Sequence, residues 1–137
     1  MNGLLLDTCA VLWTALGETV SVGATAALEK TAEEDGRIGV SAITALEIGL
    51  LASRGRQKFP MDPRDWFKSY LQRSGVELVG LEPDLLIGSC FLPDCPIRDP
   101  FDRIVVATAR TTGLTIITRD KAILAYAKDG NVLALEC

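Results

Sequence analysis

The chain has 137 residues, of which 48% are hydrophobic and 23% are charged, a balance typical of one soluble globular domain with its own core. The formal net charge of −4 argues against loose, purely electrostatic binding of nucleic acid. No apolar run reaches the roughly 18 residues of a membrane-spanning helix, and the short N-terminal segment lacks the basic residues of a secretion signal. We therefore expect a single domain over residues 1–137, located in the cytoplasm and without a membrane partner.

Strands and helices are predicted to alternate along the whole chain. Short apolar, often β-branched segments predict strands, and in chain order they are LLLD (4–7), RIGV (37–40), VELVGL (76–81), LTIIT (114–118) and NVLAL (131–135). Segments with helical spacing lie between them, at residues 8–16, 21–35, 41–53, 64–75, 83–92, 101–113 and 119–130. Ser41 is expected to cap the third helix, and Gly75 and Gly113 to end two others. This alternation predicts an α/β fold with a parallel sheet and helices on both faces.

The types of residue present restrict the chemistry. The sequence contains no histidine, and its four cysteines, Cys9, Cys90, Cys95 and Cys137, include no CxxC pair. The lack of histidine excludes Ser-His and Cys-His catalysis, so a general base has to be a carboxylate, a lysine or a metal-activated water. A zinc site would need all four thiolates, and we expect free thiols, buried or terminal, instead.

Acidic residues fall where the predicted strands end. Asp7 ends the first strand, and Asp120 lies two residues past LTIIT. Asp102 lies in the first turn of the helix that leads into LTIIT, and Glu47 lies in the second turn of the helix after RIGV. Ligands of parallel α/β sheets bind at the carboxyl edge, where these four acids are able to converge.

Each aspartate also has a purely structural interpretation. Asp7 is suited to cap the first helix, and Asp99, which is followed by proline, has the pattern of an N-cap. Asp102 and Asp120 fit the first turn of a helix, where an acid favours the helix dipole.

Glu47 does not fit a capping role, because it lies too far into its helix. Its neighbours three and four positions away in ITALEIGLLA are not basic, so no local salt bridge is available. Either the helix turns Glu47 to water, or a cation meets it. A divalent cation would relieve the repulsion between converging carboxylates. Oxygen ligands without histidine or cysteine select Mg²⁺ or Mn²⁺, and such sites typically act on phosphate esters.

Basic residues are concentrated in one segment. Residues 1–53 contain seven acids and two bases, whereas residues 54–73 contain six bases against Asp62 and Asp65. A local positive face and an ordinary solvated surface both fit this pattern. Trp66, Phe67 and Tyr70 lie on one helix of the same segment. Core packing is the favoured interpretation of these rings, with base stacking or a protein-binding groove as alternatives.

Four segments occur in the order LLLDTCAVLW, SAITALEIGLL, RDPFDRIVVATA and TIITRDKAI. Together they resemble the PIN domain family, and within it the VapC-type toxins of bacterial toxin–antitoxin pairs. Each alone is weak evidence, whereas all four in this order, across nearly the whole chain, are specific. One departure is Ile97, which stands where relatives commonly have histidine, and we attach no catalytic consequence to it.

The resemblance implies a three-layer α/β/α sandwich whose central parallel sheet has about four or five strands. It implies that an acidic quartet binds Mg²⁺ or Mn²⁺ and, with an activated water, hydrolyses RNA phosphodiester bonds; the matching residues are Asp7, Glu47, Asp102 and Asp120. Thr8 and Thr118 match hydroxyl residues beside such sites, with helix capping as the alternative. Asp99 is interpreted first as a cap and second as a residue that supports the metal ligands. The resemblance also implies a homodimer and a small antitoxin that inserts a segment into the acidic groove.

Contacts to RNA are expected to combine the metal with nearby basic residues that position the backbone. These are Arg54, Arg56, Lys58, Arg64 and Lys68, together with Arg103 or Arg119 beside the site. Two other functions stay open. A HAD-like phosphohydrolase also has an Asp after its first strand, but it needs a second acid two residues later, where this chain has Cys9. A catalytically silent PIN-fold domain that binds RNA or protein is the other alternative.

Overall fold

The computed structural model describes residues 3–18 and 20–137, so residues 1, 2 and 19 of the predicted domain lie outside the described residues. Within them, parallel strands form a five-stranded sheet in the order β3-β2-β1-β4-β5. The strands are β1 (Leu4–Leu6), β2 (Ile38–Ser41), β3 (Glu77–Val79), β4 (Thr115–Thr118) and β5 (Ala134–Glu136). The predicted parallel sheet is confirmed, and β1 lies at its centre.

The helices connect these strands and cover the sheet. They are α1 (Thr8–Leu16), α2 (Val22–Glu33), α3 (Ile43–Ser53), α4 (Pro63–Ser74), α5 (Pro83–Gly88), α6 (Pro100–Thr112) and α7 (Lys121–Lys128). A short 3₁₀ turn, Ser89–Phe91, follows α5. Gly75 and Gly113 end α4 and α6 in the left-handed conformation, as predicted. Among the described residues, no helix is long and apolar enough to cross a bilayer.

The core lies on both faces of the sheet. Leu4 and Leu6 of β1 pack on one side with α1 and α4, whereas Leu5 packs on the other side with α6 and α7. This alternation follows from the two-residue period of a strand. All three leucines are buried, because helices cover both faces of the parallel sheet. The result is the expected three-layer α/β/α sandwich.

The aromatic residues of α4 belong to this core. Trp66, Phe67 and Tyr70 are all buried against β1, β2 and α1. Trp66 and Tyr70 stack with their ring centroids 5.8 Å apart. Core packing, the favoured interpretation of these rings, is therefore confirmed.

Several predicted boundaries were wrong. The last strand begins at Ala134 instead of residue 131, because the amide of Asn131 still donates to the carbonyl of Tyr126 in the turn that ends α7. Ser41 is the last residue of β2, and Ala42 occupies the N-cap of α3. The Ser41 hydroxyl nevertheless accepts a hydrogen bond from the amide of Ile43 at 3.2 Å.

Candidate functional site

The carboxyl ends of the central strands open into a pocket of about 240 Å³. Asp7 follows β1 directly, Asp120 follows β4 by two residues, and Glu47 and Asp102 reach in from α3 and α6. The described residues that line this carboxylate pocket are Asp7, Thr8, Cys9, Glu47, Asp102, Val105, Arg119 and Asp120. The structure therefore brings all four predicted acids to one place.

Asp7 is the most deeply placed of the four acids, with 8% of its surface exposed. Its Oδ1 accepts a hydrogen bond from the amide of Ala10 at 2.8 Å, and its Oδ2 accepts one from the hydroxyl of Thr118. Burial nevertheless raises the pKa of Asp7, and the negative charge of Asp120 adds to the rise. Two hydrogen bonds thus hold the carboxylate of Asp7 in place, but they do not offset the cost of burying its negative charge.

Glu47 is anchored by a hydroxyl group. The hydroxyl of Thr8 donates to Glu47 Oε1 at 2.7 Å and lies 3.1 Å from the hydroxyl of Thr44. The pKa of Glu47 is raised by burial first and then by the charges of Asp99 and Asp7. Thr8 therefore orients this carboxylate, and it supplies no positive charge to balance it.

Asp102 shows the crowding of negative charge most strongly. Burial raises its pKa to about 7, followed by the repulsion of Asp120, Asp99, Glu47 and Asp7. This carboxyl group therefore keeps its proton to a higher pH than an ordinary aspartate does. The pocket therefore binds positive charge, protons included, more readily than an exposed acidic patch would.

Cys9 also faces this negative field. Burial and the surrounding carboxylates raise the pKa of its thiol to about 11. Because the thiolate is the nucleophilic form, Cys9 is inert as a nucleophile at neutral pH. Cys9 and Cys90 are both exposed, so the expectation of buried or terminal thiols was wrong at these two positions.

Asp7 and Asp120 each cap a helix and also line the pocket, whereas Asp99 caps a helix outside the pocket lining. Asp7, Asp99 and Asp120 are the N-caps of α1, α6 and α7. Asp99 Oδ1 accepts from the amide of Phe101 at 2.8 Å, and Asp120 Oδ1 accepts from the amide of Ile123 at 2.9 Å. The positive ends of these helices lie at the caps. The N-terminal amides of α1 and α7 thus hold the carboxylates of Asp7 and Asp120 in place at the pocket.

The residues fit a hard divalent cation by their chemistry. The donors are carboxylate and hydroxyl oxygens, which Mg²⁺ and Mn²⁺ prefer. Burial first, and then repulsion between the carboxylates, raises the pKa of Asp102. In the described part of the chain, no group of three or more His, Cys, Asp or Glu side chains is placed to hold an ion directly. Mg²⁺ usually binds through one or two carboxylates and keeps several waters, and the pocket volume accommodates that hydrated form.

The predicted basic residues are divided between two places. Arg119 lines the carboxylate pocket. Arg103 donates to the carbonyls of Ser89 at 2.9 Å and Ile97 at 2.6 Å, and so braces the loop before α6. The remaining predicted residues are exposed and lie outside the pocket lining; they are Arg54, Arg56, Lys58, Arg64 and Lys68.

Sequence reasoning missed three residues that build the site. Thr44 is fully buried beside Thr8, and its position three residues before Glu47 on the same helix is a signal that was available. Cys9 lines the pocket. The ring of Trp13 lies 3.7 Å from the guanidinium carbon of Arg119, a contact between residues distant in the sequence that no local pattern indicates.

The fold and the carboxylate pocket define a known class of protein. Residues 4–129 match the family model described as the PIN domain, and the chain belongs to that family.

Among known proteins, the chain is similar to Ribonuclease VapC22 of Mycobacterium tuberculosis (strain ATCC 25618 / H37Rv). The two are 28% identical over 127 residues, which is 92% of this chain and 93% of that protein. The fold resembles VapBC2 from Rickettsia felis, solved bound to a DNA fragment from its promoter, with a TM-score of 0.69 and 15% identity over 97% of each chain. It also resembles a toxin–antitoxin complex from Klebsiella pneumoniae, with a TM-score of 0.52 and 22% identity over 86% of this chain and 87% of that one.

Proposed function

We propose that this chain is a Mg²⁺- or Mn²⁺-dependent endoribonuclease and the toxin of a toxin–antitoxin pair. The observation that carries the proposal is the convergence of Asp7, Glu47, Asp102 and Asp120 in one pocket at the carboxyl edge of the sheet. Membership of the PIN domain family and similarity to a VapC ribonuclease support it. Among the described lining residues, Cys9 is not suited to act as a covalent nucleophile, because its thiol stays protonated at neutral pH.

The acids act as ligands for the metal, directly or through water. Asp7, Glu47 and Asp102 are the principal ligands, and Asp120 completes the set or holds a second ion. When bound, the ion polarises a phosphoryl oxygen and lowers the pKa of a water molecule. As a metal ligand, Asp102 would have to be ionised, and a bound cation would favour that ionised form.

The residues around the acids keep them in register. The Thr118 hydroxyl donates to Asp7 and accepts from the amide of Asp120 at 2.9 Å, so it links two ligands on neighbouring strands. The Thr8 hydroxyl likewise orients Glu47 by donating a hydrogen bond to its carboxylate. Outer partners of this kind are typically worth 10- to 100-fold in metal affinity or activity. By resemblance, the cut leaves a 5′-phosphate and a 3′-hydroxyl.

RNA is expected to approach along basic side chains outside the acidic pocket. The segment from Arg54 to Lys68 carries exposed positive charges on the α3–α4 connection and on α4. Contacts from such residues position the backbone without reading the sequence. The overall negative charge disfavours non-specific binding, so the metal and the local bases act together.

We propose a small antitoxin and a second copy of the chain as protein partners in the cytoplasm. The resemblance to a solved toxin–antitoxin complex supports the antitoxin, and a basic side chain inserted by it suits the carboxylate pocket. Ile87 and Phe91, on α5 and the turn after it, are 62% and 79% exposed. A second copy of the chain would cover these two apolar side chains in the proposed homodimer.

The test is to sequence RNA ends after brief, controlled expression of the wild-type chain and of Asp7→Asn. The proposal expects new 5′-phosphate ends at discrete sites with the wild type and none with the variant. Purified protein, assayed with Mn²⁺ and then with EDTA, separates this cleavage from that of host enzymes. Ends that appear equally with Asp7→Asn, or cleavage that persists in EDTA, would contradict the proposal.

A further inference from the structure

Thr44 carries a buried hydroxyl close to the acidic pocket. It lies in the first turn of α3, three residues before Glu47, and its side chain is fully buried. It is not among the described residues that line the carboxylate pocket. Its hydroxyl therefore contacts neither solvent nor a molecule bound in the pocket, and any effect that it has on the site passes through another side chain.

The Thr44 hydroxyl is directed to a different helix. Among the described residues its hydrogen-bond partner is Thr8 of α1, and the two hydroxyl oxygens are 3.1 Å apart. Thr44 lies so near the start of α3 that the residue four positions earlier, Val40, belongs to β2. Other helical threonines donate instead to the carbonyl four residues earlier in their own helix; they are Thr14, Thr31, Thr108 and Thr112.

The order of donation follows from the number of protons. The Thr8 hydroxyl carries one proton and has two acceptors in reach, Glu47 Oε1 at 2.7 Å and the Thr44 oxygen at 3.1 Å. The ionised carboxylate is the stronger and the closer acceptor, so it takes that proton. The Thr44 hydroxyl, which rotates about its C–O bond, then donates to Thr8 and keeps the two threonines in contact. The hydroxyl chain thus runs from Thr44 through Thr8 to Glu47.

The hydroxyl chain holds one oxygen of Glu47. Thr8 binds Oε1, and among the described residues Oε2 accepts no hydrogen bond. A hydroxyl that accepts a hydrogen bond becomes a better donor, so Thr44 strengthens the bond that orients Glu47. A glutamate loses side-chain entropy when it is fixed, and here part of that loss precedes the binding of an ion.

We propose that Thr44 is a positioning residue for the metal site, which acts through Thr8 to hold Glu47 in place for a divalent cation. This inference rests on the proposed function, in which Glu47 is a metal ligand. Because Thr44 acts on the metal ligand and not on RNA, its loss weakens metal binding. An excess of metal therefore compensates for the loss by mass action.

The experiment measures the affinity for Mn²⁺ in purified protein without RNA, by electron paramagnetic resonance of the free ion. Thr44→Val keeps nearly the shape of the side chain and removes the hydroxyl. It should raise the Kd for Mn²⁺ about 10-fold, the lower end of the range for residues that support metal ligands. Thr8→Val removes the bond to Glu47 itself and should raise the Kd further, up to about 100-fold. Cleavage of RNA by Thr44→Val should fall at limiting Mn²⁺ and recover at saturating Mn²⁺.

Companion variants separate the hydroxyl from its surroundings. Thr44→Ser keeps the hydroxyl and should recover most of the affinity. The double variant of Thr8→Val and Thr44→Val should have the Kd of Thr8→Val alone, because Thr44 acts through Thr8. Thr31→Val makes the same change at a buried threonine of α2 outside the pocket lining and serves as the matched control, with the Kd unchanged.

The outcomes are distinguishable. If the wild type binds Mn²⁺ more tightly than Asp7→Asn does, but Thr44→Val matches the wild type, the positioning role is wrong and the proposed metal site stands. A fall in melting temperature of Thr44→Val with the Kd intact, or losses of affinity that add in the double variant, also overturns the positioning role. If the wild type does not bind Mn²⁺, the proposed function fails and the positioning role fails with it.

Discussion

Acidic side chains at the two ends of the central sheet have pKa values that shift in opposite directions. At the amino end, Glu77 opens β3 and accepts a hydrogen bond from Arg37 at 2.7 Å, and this bond lowers the pKa of Glu77. At the carboxyl end, Asp102 is half-buried among other acids, and its pKa rises to about 7. A matched pair in water adds little stability. Crowded carboxylates reduce the stability of the metal-free fold, and a bound cation restores that stability. The carboxyl end is therefore the part of the sheet that is arranged for a ligand.

The largest expected effect is on catalysis. Asp7→Asn keeps the shape of the side chain and the possibility of capping α1, but it removes a charged metal ligand. Cleavage of RNA should fall by at least about 100-fold, more than the loss of an outer partner would cause. Steady-state rates with Mn²⁺ check this, and Glu77→Gln, the same type of change at the amino end, should leave the rate unchanged. A variant Asp7→Asn that retains a tenth of the activity would remove Asp7 from the site.

The next effect is on stability with metal. At a free Mn²⁺ concentration about 100 times its Kd, the ion should stabilise the wild-type fold by about 2.7 kcal/mol. That gain corresponds to a rise in melting temperature of roughly 10 °C for a domain of this size. The rise should be much smaller in Asp7→Asn. Differential scanning calorimetry with and without EDTA measures it, and an unchanged Tm at tens of millimolar Mn²⁺ or Mg²⁺ would contradict the account.

A smaller effect distinguishes the two ends by pH. The folded-state pKa of Asp102 lies above its ordinary value of 3.8, so the folded protein binds this proton more tightly than the unfolded chain. In EDTA, the stabilisation that this proton contributes is therefore fully present below about pH 4 and is lost as the pH rises to about 7. Asp102→Asn should raise Tm at pH 8 by a few degrees, on the order of 3 °C, and flatten the profile between pH 4 and 7. An unaltered profile would show that the charges are not crowded.

The smallest expected effect is the change in stability caused by Glu77→Gln at the amino end of the sheet. The Glu77 and Arg37 side chains are 51% and 45% exposed, so Glu77→Gln should lower stability by less than about 1 kcal/mol. Because the pKa of Glu77 is lowered in the fold, its contribution is present above the ordinary pKa and is lost as the pH falls. Urea unfolding at pH 3 and pH 7 tests this sign, which is opposite to that of Asp102. A larger loss at pH 3 would contradict it.

The order of strands and helices and the parallel sheet were predictable from local patterns. LLLD and LTIIT are apolar runs bounded by polar residues. Such runs are recognised from adjacent residues in the sequence alone. The convergence of Asp7 and Asp120 follows from the rule that parallel strands share a carboxyl edge. Placing Glu47 and Asp102 in the same pocket required the resemblance as well, because a helix position does not by itself give the direction of a side chain.

What the sequence did not predict depends on tertiary contacts. Trp13 and Arg119 are separated by most of the chain, and their stacking becomes visible only once β1 and β4 are paired. The bond between Thr8 and Glu47 depends on how α1 packs against α3. Likewise, NVLAL was predicted to be a strand from Asn131 onward. The turn that ends α7 includes Asn131, so the strand begins only at Ala134.

The most direct test of the account is anomalous diffraction from crystals grown with Mn²⁺, with the Asp7→Asn variant crystallised under the same conditions. The account predicts an anomalous peak within the carboxylate pocket, in contact with Asp7 or with waters held by Glu47, Asp102 and Asp120, and a weakened or absent peak in the variant. A fully occupied Mn²⁺ site elsewhere on the molecule, with none among these carboxylates, would contradict it.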